Sequence, residues 1–207
     1  NCTQLVMECY GGGGAGAGNN ITVNFRGGGG AGGQYCKTTL INPTAGQTIS
    51  ITVAATRTGT AGNASNGNDS NVLVNLTELC RAKGGQSANG ITGGLGSSSN
   101  AIGDVVRRGG HGGNFETLGS GSGGGCGGTI SNGVDGGDGP GTQGAGGGGV
   151  AGAGGSGVEF DGPGNGGNGE VYGGGGGGAV RLNSGTYYGG DGRSGYVKLT
   201  FTNNGNQ

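Results

Sequence analysis

Five cysteines, Cys2, Cys9, Cys36, Cys80 and Cys126, and a single histidine, His111, are the side chains best suited to metal, redox or nucleophilic chemistry. Their spacing argues against most of it. A zinc or dithiol motif places two cysteines three positions apart so that both sulfurs reach one centre, and no Cys-x-x-Cys occurs. His111, in RRGGHGG, has no carboxylate or cysteine at ligand spacing and reads as a solvent-exposed turn residue. With no base fixed beside a nucleophile, no catalytic pair can be assembled. The expectation is a protein that is not an enzyme, has no catalytic or metal-binding residues and takes no cofactor. All five cysteines are then disulfide candidates in an oxidising compartment. Their odd number leaves one thiol free or available to a partner chain, with Cys2 favoured by position.

Other motifs are weak. Gly-x-Gly-x-x-Gly matches are inevitable in a chain with 65 glycines, and no Gly-Lys-Ser/Thr phosphate loop occurs. The stretches GVDGGDG and NGGNGEVYG brush against a calcium-binding nonapeptide without completing or repeating it. A formal net charge of −1, with Arg81, Lys83, Arg107 and Arg108 the only local basic clustering, is too little for nucleic-acid binding. No apolar run is long enough to cross a membrane as a helix, so no membrane insertion is expected. Asn-x-Ser/Thr sequons at Asn1, Asn20, Asn63, Asn68 and Asn75 make these the candidate glycosylation sites. With a chain that opens on Asn1 rather than methionine, they point to a processed, secreted, extracellular glycoprotein. Between the glycine tracts, Phe115, Glu116, Glu159, Phe160, Asp161, Tyr172, Tyr187 and Tyr188 are the candidate binding or subunit-contact loop residues. The alternative is that these rings cap the ends of glycine rods.

The elements that position these residues divide by texture. QLVMECY alternates Leu5, Met7 and Cys9 against Val6, Glu8 and Tyr10, the period of a half-buried strand. NITVNF does the same with Ile21, Val23 and Phe25, and TISITV with Ile49, Ile51 and Val53. NVLVNLTELC reads as one strand with Val72, Val74 and Leu76 on a shared face and Asn75 outward. Near the end, SGYVKLTF alternates Val197, Leu199 and Phe201 and needs partners from the first eighty residues. Helical periodicity over three turns is found nowhere, so almost no α-helix is expected.

Most of the glycines lie between 81 and 195, and each costs about 0.5–1 kcal/mol in backbone entropy relative to alanine. With 29% apolar residues and no tryptophan, burial of side chains is a weak compensation. Polyproline II geometry supplies another. It has three residues per turn and no internal hydrogen bonds, so every N–H and C=O points outward. Glycine keeps its donor and has no Cβ, so parallel rods of this kind can bond backbone to backbone. HGGNFETLGS, SNGVDGGDG, VEFDGP, GEVYGG and AVRLNSGTYYGG then read as turns between rods. The expected fold is all-β: an antiparallel sandwich from residues 1–80 plus 195–203, and a polyglycine II helix bundle over 81–194.

This layout, LVMECYGGGGAGAG, GGGGAGG, TISITV, glycine tracts split by short variable loops and a closing GGDGRSGYVKLTF, resembles the glycine-rich domains of phage tail-fibre tip adhesins and related surface proteins. The resemblance implies a β-sandwich carrying polyglycine II helices, whose end loops contact a receptor. It also implies a strand ahead of LVMECY that this sequence lacks, which leaves an edge or groove for another chain. Cysteines and sequons set the sequence apart from that family. Two functions follow as expectations. One is an extracellular structural subunit of a filament, fibre or coat that self-associates into a homopolymer through its first strand. The other is an adhesin on a virion tail fibre recognising a host surface receptor, protein or glycan.

Overall fold

The computed structural model describes residues 2–203 apart from 20–23, 63, 98–99, 140–143, 147 and 160–161. Ile21 and Val23, and the candidate residues Asn1, Asn20, Asn63, Phe160 and Asp161, lie outside the described residues. No helix occurs among them, and the fold is all-β. Strands β1 (Cys2–Tyr10), β3 (Tyr35–Ile41), β7 (Val105–Arg107) and β9 (Tyr196–Asn203) form one antiparallel sheet in the order β7-β3-β1-β9. Strands β4 (Ile49–Thr52), β5 (Ser70–Val74) and β6 (Thr77–Ala82) form a second, and β2 (Phe25–Arg26) pairs with β8 (Val180–Arg181). The C-terminal strand pairs with the first, as its apolar face requires.

Alternation built the sandwich core. Leu5, Met7 and Cys9 of β1 point inward to meet Cys36, Val72, Val74, Cys80 and Ala82, with Leu40, Ile49, Leu79, Val197 and Leu199 packed around them. NVLVNLTELC is not one strand. Asn75 (φ 48°) and Leu76 (φ 67°) form a two-residue turn joining β5 to β6 in register Val74 with Thr77, and Leu76 is exposed. In β4 only Ile49 reaches the core, while Ile51 and the following Val53 face solvent, because β4 is the outer strand of its sheet.

The glycine tracts leave the sandwich and return to it, and their hydrogen bonds repeat every third residue. Gly11, Gly14 and Ala17 donate to Gln34, Ala31 and Gly28; Gly12 and Ala15 donate to Asn68 and Ser65; Gly13 and Gly16 donate to Arg193 and Gly190. Successive N–H groups thus point at three different neighbours, as in a helix of three residues per turn. The tract 27–34 is the centre of this lattice. It donates to the tracts 173–179, 83–90 and 110–113, and accepts from 11–17, from Gly94 and from 121–127, giving six surrounding segments. A Cβ at Gly30 would lie 2.1 Å from the carbonyl oxygen of Gly14, so the backbones touch where a side chain would stand.

Two boundaries drawn from sequence shift accordingly. Tracts 11–17 and 27–34, inside the 1–80 segment, belong to the lattice, because strand composition and rod composition alternate along the chain rather than separate. SNGVDGGDG, read as a turn, is itself a packed segment over 133–138: Gly133, Val134 and Gly136 donate to Arg108, Ala145 and His111.

Candidate functional site

Because each tract starts at one end of the lattice and stops at the other, the direction of the chain fixes where every connection lies. Segments leaving β1, β6 and β7 run away from the sandwich, and segments entering β3 and β9 run back. The connections around 19, 91, 114–119, 159, 162–165 and 181–188 therefore gather at the end remote from the sandwich. There the N–H of Phe115 bonds the carbonyl of Ile91 at 2.9 Å, and Glu116 and Gly119 exchange backbone bonds at 3.1 Å. Gly119 also bridges to Glu159. Phe115, Glu116 and Glu159 are thus neighbours. Tyr187 pairs backbone with Asn19, and its hydroxyl donates to Asn183 Oδ1 at 3.1 Å. Tyr188, half exposed, is held by a bond from its N–H to Asn165 Oδ1. Beneath them the buried Arg181 donates to the Asn183 carbonyl and to Asn19 Oδ1.

Tyr172 does not join them. Rod direction carries it to the sandwich end, where it stacks on Tyr196 at 4.7 Å. Tyr196 in turn meets Tyr10, and Tyr10 meets Tyr35 at 4.9 Å, with the buried Cys126 against the same rings. Burial, with Glu8 and Cys126 nearby, pushes Tyr10 up to about 12. Tyr35 is also raised, by burial and by donating its hydroxyl proton to Glu8 Oε1 at 2.8 Å. This aromatic joint fastens lattice to sandwich. Sequence reading passed over Leu118 and Ile91, exposed apolar residues at the remote end. Their signal was a branched side chain set in a loop of small and polar residues.

His111 is not a turn residue. It lies in the tract 110–113 and its Nδ1 accepts the N–H of Gly96 at 3.2 Å. The acids of GVDGGDG are occupied as well. Asn132, Asp135 and Asp138, three apart, accept the N–H groups of Arg108, His111 and Asn114, also three apart. Side chains at the surface of the lattice thus replace the missing outer rod. For Asp135 burial acts upward, but the bonds from Arg108 and His111 outweigh it and hold its pKa below the usual carboxylate value.

At the opposite end, the sandwich is open on one side. Among the described residues, strands β9 and β4 each pair with one neighbour only, and between them lies a groove of about 790 Å3 lined by Leu5, Ile49, Val74 and Phe201, with Cys2 and the 42–47 loop at its rim. Strand β1, expected to be the incomplete edge, is instead central, with β3 and β9 on its two sides. Cys2 is partly exposed, whereas Cys9, Cys36, Cys80 and Cys126 are fully buried, and all five are thiols in this structure. Cys9, Cys36 and Cys80 converge from β1, β3 and β6, their sulfurs all within 4.8 Å of one another. Of the sequons, Asn68 and Asn75 are exposed.

A β-sandwich continuous with a lattice of three-residue-per-turn glycine segments defines a class of glycine-rich proteins organised by backbone rather than side-chain packing. A family model described as glycine-rich domain matches residues 1–202, and the chain belongs to that family. No curated protein sequence matches it.

Proposed function

We propose that this chain is a non-enzymatic extracellular structural protein, a subunit of a filament, fibre or surface coat that adds copies along the open side of its sandwich. The observation that supports it is the pair of edges flanking the groove. Natural edge strands are guarded by charge, proline or a covering segment. Strand β4 (ISIT) carries no charge, and the only charge on β9 is Lys198, which pairs with Glu8 on β1. Ile51, Val53 and Phe201 stand about half exposed along these edges. A strand from a second copy would pair with one edge and bury these side chains, and Cys2 at the groove rim could cross-link the joint. Repeated head to tail, such a contact gives a filament.

Sedimentation and electron microscopy of the purified chain test it. Polymers are expected, and Ile51→Lys with Thr200→Lys should abolish them while the circular dichroism spectrum stays unchanged. A parent that is monomeric at high concentration overturns the proposal. Glycans on Asn68 and Asn75 accompany this reading. Deglycosylation should lower the intact mass of native material.

A second reading rests on a different observation. Phe115, Glu116, Leu118, Glu159, Tyr187 and Tyr188 share the remote end, where a rigid lattice would present them to a receptor as an adhesin does. Loss of host-cell binding in Phe115→Ala with Tyr188→Ala would favour it.

A further inference from the structure

Three cysteines with no sequence motif meet in the sandwich core. Cys9 and Cys36 are register partners on neighbouring strands, and Cys80 faces them from the other sheet. The Cys36 and Cys80 sulfurs are 2.7 Å apart. Around them the core is apolar: Leu5, Met7, Val72, Val74 and Ala82 are its other buried members. Two chemistries can occupy such a site, a soft metal ion held by three thiolates or a disulfide.

Distance and charge separate the two. Thiolates on a tetrahedral zinc, with zinc–sulfur bonds of about 2.3 Å, stand about 3.8 Å apart. The Cys36–Cys80 separation is well short of that. Three thiolates around a divalent ion would also leave a net negative charge among core residues that, as described, include no cation to offset it, at a large desolvation cost. A disulfide is neutral.

We propose that Cys36 and Cys80 form a disulfide between the two sheets, with Cys9 kept as a buried thiol beside it. The bond forms before the sheets close, by exchange with an external disulfide such as glutathione disulfide. A thiolate of one cysteine displaces one glutathione thiol, and the second cysteine attacks the mixed disulfide and displaces the other. The two cysteine protons and two electrons leave on two glutathione thiols, and one S–S bond is gained for one lost. With this pair joined and Cys126 enclosed in the lattice, Cys2 is the one thiol with access to a partner chain. The disulfide does not depend on filament formation.

The full chain, refolded with glutathione disulfide, is denatured, alkylated without reduction and digested with trypsin. The cleavage sites put Cys9, Cys36 and Cys80 in three different peptides, so pairing is read directly. The expected result is a linked pair of peptides 27–37 and 58–81, three alkylated thiols and a melting temperature lowered by about 10 °C on reduction. Cys9→Ser should retain the link. Five alkylated thiols, a link through Cys9, or one equivalent of zinc or copper by elemental analysis with the three sulfurs protected would each overturn the proposal. Mapping the parent decides it even if a variant fails to fold.

Discussion

Leu5, Met7, Val72 and Val74 fill the sandwich with side chains, while the tract 27–33 is buried just as fully with nothing larger than a methyl group. In the first region, order comes from apolar surface leaving water. The second is organised by hydrogen bonds, each donor directed by a three-residue turn at a particular carbonyl. The lesson is that burial by itself does not imply a hydrophobic core. The two regions should therefore fail differently. Removing atoms damages the sandwich, and adding them damages the lattice.

The strongest way to break this comparison is Gly30→Val. The new Cβ falls 2.1 Å from a backbone oxygen that cannot rotate away, so the rods must separate and several bonds go with them. A loss of at least about 4 kcal/mol is expected, beyond ordinary overpacking, and is measured by denaturant unfolding. Leu5→Ala, which removes buried carbons from the sandwich, should cost about 3 kcal/mol in the same assay. Acid sharpens the contrast at the lattice surface. The folded pKa of Asp135 lies below its unfolded value of about 3.9, so its contribution is present above that pH and is lost as pH falls through the folded pKa. Asp135→Asn should lower the melting temperature modestly at neutral pH and flatten its decline below about pH 4, so that variant and parent converge in acid. The smallest effect belongs to Gly62→Ala. A Cβ there meets nothing within 4 Å, and the variant should be unaffected or gain about 0.5 kcal/mol. A loss comparable to that of Gly30→Val would show that glycine matters in this chain for some reason other than rod contact.

Side-chain alternation made β1 and β9 legible, because a strand with one buried face writes that face into its sequence. The hairpin at Asn75 and Leu76 was hidden because its second turn residue is leucine at positive φ, where glycine would have signalled the turn. The glycine tracts declared their kind of packing but not their partners. Identical residues carry no address, so the six neighbours of 27–34 cannot be read from the tract's own sequence. The same blindness misplaced Tyr172, whose end of the lattice depends on how many reversals precede it. At the surface a signal was present and missed: Asn132, Asp135 and Asp138 repeat at the rod period, marking an outer face. The cysteine cluster had no spacing to read, since three strands from distant parts of the chain create it.

The lattice around 27–34 also bears on temperature. Unfolding the sandwich wets hydrocarbon and raises heat capacity, whereas unfolding the rods wets mostly amide groups, whose hydration lowers it. The chain's total should fall below the roughly 12–15 cal/mol/K per residue of ordinary globular proteins. A small heat-capacity change makes the stability curve shallow, so a fold organised by backbone bonds loses little of its stability on cooling.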